Sequence, residues 1–81
     1  MADTITLQLF ARFRDAAGQT SLELPATETI ADLRSDLKRR WPALAALLDS
    51  SRFAVDDEFA EDGRLLRPGD RLALIPPVSG G

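Results

Sequence analysis

An α+β fold, a mixed sheet of four to five strands with one main helix packed across it, is predicted for this 81-residue sequence by three observations. Apolar and polar residues alternate in the first stretch, Thr4 to Phe10, and again in the last, Arg71 to Ile75, which is the period-two pattern of half-buried strands. Between them Ile30, Leu33, Leu37 and Trp41 recur at spacings of three and four, the pattern of a helix with one buried stripe. The helix then supplies the long crossover that a parallel pairing of the first and last strands requires.

Each element follows from local chemistry. Ile5, Leu7 and Leu9 share one parity, which puts Thr4, Thr6, Gln8 and, as an unusual aromatic, Phe10 on the other face. Ala11 to Gly18 is polar and closes on glycine, so it reads as a short helical turn inside a wide hairpin. Gln19 to Leu24 is the returning strand, with Leu22 and Leu24 inward, and Pro25 ends it. Thr29 with Asp32 three residues later resembles a capping box and opens a helix of about 12 residues. Its polar face carries Arg34, Lys38, Arg39 and Arg40, and Trp41 is expected as a core plug.

Pro42 stops this helix and suits the first position of the next, a short segment carrying Leu44, Leu47 and Leu48 and leaving through Asp49-Ser50-Ser51. Arg52 to Val55 is a short strand, Asp56-Asp57 a turn, and Glu58 to Ala60 its partner, with Phe59 a second candidate for exposure. Glu61-Asp62-Gly63 is another turn, Leu65-Leu66 supply apolar anchors, and the Pro-Gly of Arg67-Pro68-Gly69-Asp70 is a strong turn signal before the final strand. In that strand Leu72 and Leu74 face the core, while Ala73 and Ile75 face away. A β-grasp arrangement meets these constraints, and patterning alone leaves a ferredoxin-like variant open.

Length and composition narrow the function. The expected organisation is one domain over residues 1–75, which at this size buries roughly 60–65% of the unfolded surface, and an extended tail over 76–81. With 44% apolar residues the chain is expected to be ordered, and a net charge of −3 argues against nucleic acid as a partner. The basic cluster on the helix and the acidic run Asp56, Asp57, Glu58, Glu61 and Asp62 are either solvated faces or docking surfaces for proteins. Cysteine and histidine are absent, which removes disulfides, thiol chemistry, imidazole bases and most zinc sites. No apolar run approaches a membrane span, so no membrane is expected and a reducing cytoplasm is the expected setting.

Two features point to a function. Parity puts Phe10 and Ile75 on the outward face of neighbouring strands with Phe59 close by, an apolar patch that a partner would cover. Directly after the last strand comes Pro76-Pro77-Val78-Ser79-Gly80-Gly81, whose prolines stiffen an extended root and whose glycines give an end narrow enough to thread a channel. Asp56, Asp57 and Glu58 are expected in a turn with neither a histidine nor a deep apolar pocket beside them, and Ser79 lacks a base. The group presented distinctively is the terminal carboxylate of Gly81. Ionised, it is a poor electrophile, so acyl transfer through it requires activation, typically as an adenylate at the expense of ATP.

The motifs Phe10-Ala11-x-x-Arg14-Asp15-x-x-Gly18, Thr29 to Leu37, Leu66-x-x-Gly69-Asp70 with Leu72 to Ile75, and the Pro-Pro-Val-Ser-Gly-Gly end span nearly the whole chain. Together they resemble the MoaD/ThiS ubiquitin-like sulfur-carrier family, and the tail resembles its molybdopterin-synthase branch. The resemblance implies a β-grasp fold and a two-stage cycle. A MoeB-like enzyme would adenylate Gly81, consuming ATP, and a sulfur donor protein would convert it to a thiocarboxylate. Two carriers would then join a dimer of a MoaE-like large subunit as a heterotetramer and give sulfur to a cyclic pyranopterin precursor, forming the dithiolene. The chain alone would be non-catalytic, binding no cofactor or metal and carrying only covalent sulfur at Gly81.

Carried over by position, the resemblance implies that Gly81 would bear the adenylate and then the sulfur, and that Gly80 would give the narrow approach. Pro76, Pro77, Val78 and Ser79 are the inserted tail, while Phe10, Phe59 and Ile75 match interface positions. Asp56 departs from an Asn frequent in the family, a change in a turn or a partner contact. A protein modifier conjugated through Gly81, a thiamine-pathway carrier and a plain interaction domain are the other readings.

Overall fold

Five strands, β1 (Thr4–Leu9), β2 (Ser21–Pro25), β3 (Arg52–Val55), β4 (Glu58–Ala60) and β5 (Arg71–Ile75), form one mixed sheet in the spatial order β2-β1-β5-β3-β4. The computed structural model describes residues 3–77. The first and last strands are central and parallel, with Leu7 opposite Leu72 and Leu9 opposite Leu74, while β2, β3 and β4 add antiparallel pairings. This is the β-grasp arrangement, and it removes the ferredoxin-like alternative.

Helices α1 (Ala11–Ala17), α2 (Ile30–Arg40) and α3 (Ala45–Ser50), with a 3₁₀ turn at Pro42–Leu44, complete the chain. Ile5, Leu7, Leu9, Leu72, Leu74, Phe53 and Val55 of the sheet pack with Ile30, Leu33 and Leu37 of α2, and with Leu44 and Leu48, in one buried cluster. Burying a leucine or isoleucine from water contributes about 1.5–3 kcal/mol, so this cluster supplies the main driving force.

The start of α2 satisfies every donor of its first turn. The amides of Ile30 and Ala31 donate to the carbonyls of Arg64 and Asp62, and that of Asp32 donates to Thr29 Oγ1 at 3.2 Å. Asp32 Oδ2 in return accepts from the Thr29 amide at 3.2 Å, so the capping box is complete with aspartate at its third position. These bonds also anchor the long loop between β4 and β5 against the helix. Its last turn, Arg67–Asp70, has Gly69 at φ 89, an angle that favours glycine.

Three expectations are corrected and one buried residue is added. β1 ends at Leu9, and Phe10 is the extended cap residue of α1, because Ala11 turns the chain at φ 51. Leu66 is buried but Leu65 is 62% exposed, since the two alternate along an extended segment, so only one of them anchors the loop. Phe13, unremarked in the periodicity, is fully buried beneath α1. Trp41 is half-buried at the margin of the core, its ring centroid 6.2 Å from that of Phe13.

The basic cluster is largely consumed internally. Arg34 Nη1 donates to the carbonyls of Leu48 and Ser51, and its Nη2 reaches Asp62 Oδ1 at 2.7 Å. Lys38 Nζ lies 2.8 Å from Asp49 Oδ1, and Arg39 pairs with Asp36 one turn earlier. Arg34 therefore ties α2 to the end of α3 and to the acidic loop, with its guanidinium 5.1 Å from the Phe53 ring centroid.

Candidate functional site

The sheet face turned away from the helices carries the site, and its shape follows from strand register. Gln8, Ala73, Ala54 and Phe59 are successive cross-strand partners on β1, β5, β3 and β4, so they form one row across four strands. The next row places Ile75 opposite Arg52. Two small residues at the middle of the first row leave a hollow between larger neighbours. The result is a shallow depression of ≈ 600 Å³ with Phe10, Phe59, Ile75, Pro76 and Pro77 on its walls and Gln8, Ala54, Asp57 and Ala73 also lining it.

Phe10 is 39% and Phe59 57% exposed, and Ile75 is half-buried. Arg52 lies with its guanidinium carbon 3.8 Å from the Phe59 ring centroid, near enough for cation–π attraction. Phe10 and Ile75, predicted outward by parity, and Phe59, expected close by, are thus brought together with Pro76 and Pro77, the first two residues of the expected tail. Val78, Ser79, Gly80 and Gly81 lie outside the described residues.

Ala54 and Arg52 were not singled out by sequence reasoning, and Gln8, Ala73 and Asp57 were read as outward or turn residues without being joined to the apolar patch. The signal was available for Ala54 and Ala73: alternation on β3 and β5 faces them outward, and a small residue beside aromatics makes a hollow. Arg52 gave no such signal, because its contact with Phe59 depends on the β3–β4 hairpin.

That hairpin turns on Asp56 and Asp57, at φ 51 and 69. Two left-handed residues in a two-residue loop match the right-handed twist of the strands, and Asp and Asn both tolerate that region. The aspartate at position 56 is therefore accommodated by the backbone geometry of a turn.

Toward the other end of the same face, Thr6, Thr20, Ser21, Asp56, Asp57 and Arg71 line a polar depression. The open face thus grades from polar to apolar toward Pro77. Among the described residues no group of three or more Cys, His, Asp or Glu side chains is arranged to hold a metal ion, and no helix is long and apolar enough to cross a membrane.

The model of the ThiS family matches residues 7–81, which includes β2 to β5 whole and β1 from Leu7 onward. The chain belongs to the ThiS family. A molybdopterin synthase sulfur carrier subunit of Arabidopsis thaliana is 32% identical over 79 residues, covering 95% of this chain and 82% of its own. The subunit of that name from Homo sapiens is 35% identical over 77 residues, with 89% and 88% covered. Among solved structures, the small archaeal modifier protein 1 of Haloferax volcanii superposes on this ThiS-family chain with a TM-score of 0.78 at 28% identity, covering 95% of this chain and 100% of that one.

Proposed function

We propose that this chain is the sulfur carrier subunit of a molybdopterin synthase, with Gly81 as its working terminus. The observation that carries the reading is the coincidence of an exposed apolar depression with the root of the Gly-Gly segment: Phe10, Phe59 and Ile75 stand beside Pro76 and Pro77. A partner docked on that depression receives the following four residues at a fixed place. Family membership, and relatives so named in plant and human that align over most of both chains, support the same reading.

In the proposed cycle a Gly81 carboxylate oxygen attacks the α-phosphorus of ATP on a MoeB-like enzyme, and pyrophosphate leaves. The outer sulfur of a donor protein's persulfide then attacks the Gly81 carbonyl carbon and AMP leaves; a thiol cleaves the resulting acyl disulfide, releasing the thiocarboxylate and leaving that thiol in a disulfide with the donor. The folded part, residues 3–75, acts as the handle and residues 76–81 as the arm, which a MoaE-like large subunit accepts so that the sulfur meets a cyclic pyranopterin precursor. The partners hold the nucleotide and the precursor; this chain contributes reach and a terminus with little bulk to obstruct attack. The setting is the cytoplasm, where reductants protect the sulfur.

Intact mass measurement after incubation with the adenylating enzyme, ATP and the sulfur donor tests the loading step. The mass should rise by the difference between sulfur and oxygen, and a chain carrying one added residue after Gly81 should not change. Equal loading of the extended chain would contradict the reading. The likeness to an archaeal modifier protein favours one second reading, conjugation of Gly81 to lysines of other proteins, and isopeptide-linked adducts in cell extracts would support it.

A further inference from the structure

The ten cationic side chains of this sequence are nine arginines and a single lysine, Lys38. The imbalance bears on the chemistry of an activated carboxyl group. An acyl adenylate reacts with any amine whose lone pair is free, whereas the arginine guanidinium stays protonated in proteins and does not compete. A chain that carries such a group on its own terminus, at high local concentration of other copies, is exposed to coupling with itself through lysines. Here one side-chain amine remains, and it is engaged: Lys38 Nζ donates to Asp49 Oδ1 at 2.8 Å, from the third turn of α2 to α3.

The pair also sits apart from the docking face. Lys38 and Asp49 belong to the helical layer, while the tail root, Pro76 and Pro77, lines the open face of the sheet. Both side chains keep access to solvent, 36% for Lys38 and 57% for Asp49, so the amine is reachable once its hydrogen bond opens.

We propose that Lys38 is the one side-chain site at which this protein can be acylated by another copy's Gly81, and that Asp49 holds it idle. The inference rests on the reading of Gly81 as an activated end. In the step, the Lys38 ammonium parts from Asp49 and gives one proton to water; the freed Nζ lone pair then attacks the Gly81 carbonyl carbon and forms the C–N bond. The C–O bond to AMP breaks, AMP departs with the electron pair, and the amine proton passes to water. The product is an isopeptide-linked dimer.

The test uses the full chain prepared with a thioester at Gly81, so that the acceptor is read without an activating enzyme; a thiolate then takes the place of AMP as leaving group. The sequence as it stands should give a slow dimer whose linkage maps to Lys38 by tandem mass spectrometry. Asp49→Asn should couple about two- to fivefold faster at low salt, the range expected for releasing an exposed ion pair, and the difference should vanish near ~1 M salt. Lys38→Arg should remove the side-chain-linked product while keeping the ion pair.

Salt offers a second route that needs no substitution. Coupling at Lys38, relative to coupling with an added free lysine derivative, should rise with ionic strength in the unaltered sequence. Equal rates for Asp49→Asn and the unaltered chain, with no salt effect, would overturn the guarding role; absence of Lys38 linkage in Asp49→Asn would overturn the site. A chain that couples at Lys38 as a thioester yet is never adenylated by the enzyme would uphold this acceptor and overturn the proposed function, so the two failures are distinguishable.

Discussion

Leu9 is 2% exposed and Phe10 39%, although they are neighbours, because alternation turns one to the helices and the other to the open face before Ala11 bends the chain. The two therefore separate stability from recognition. Leu9→Ala should lower unfolding free energy by about 2–5 kcal/mol through the cavity it leaves. Phe10→Ala should leave the denaturation midpoint nearly unchanged and weaken binding to a large synthase subunit by about 2 kcal/mol or more, as a central aromatic anchor does. Chemical denaturation and titration calorimetry on both variants check this, and a severe folding loss in Phe10→Ala would mark it as core. At this scale the sequence was readable wherever period two held over several residues. It was not readable at Phe13, whose burial depends on where α1 lies against Trp41, nor at Leu65 and Leu66, an adjacent apolar pair that gives no sign of which one alternation turns inward.

The elements hold together through a few directed bonds as much as through apolar contact. Thr29 caps α2, and Arg34, with a side chain only 14% exposed, joins α2 to α3 and to Asp62 in the loop before β5. Its Nε is buried without a partner, so the residue is held by its two terminal nitrogens and by the Phe53 ring. Arg34→Met keeps much of the packing volume and removes those bonds. It should cost about 1.5–3 kcal/mol, the range for hydrogen bonds made by a charged group, and should raise amide exchange at the end of α3. Thr29→Ala should cost less, about 0.5–2 kcal/mol. A melting curve for Arg34→Met that overlays the parent would contradict the linking role.

The capping box and the Pro42 break were legible because they are local signals. The fate of Arg34 was not, since its partner Asp62 is 28 residues away and only the folded topology brings them together. Sequence reading saw two charged faces where the structure has internal ties. Lys38 shows the same limit: its pairing with Asp49 spans two helices joined by the Pro42–Leu44 turn.

Over the whole molecule, the helical layer covers one face of the sheet and leaves the other for partners. The parallel pairing of β1 with β5 was foreseeable from two alternating strands and an intervening helix, and it brings Phe10 and Ile75 to the same end of the sheet. The hollow between them was less legible, because it is made by two alanines whose importance lies in what they lack. Under the proposed function, a partner docked on this face would fix the root of an arm whose terminal acyl group does the work.

The most direct test is single-turnover sulfur transfer to the pyranopterin precursor, with purified large subunit and carriers loaded by the activating system. The chain ending at Gly81 should deliver sulfur in proportion to its loaded fraction. A chain lacking Gly80 and Gly81 should bind the large subunit through its intact apolar face and deliver none. Sulfur delivery by the shortened chain would contradict the account.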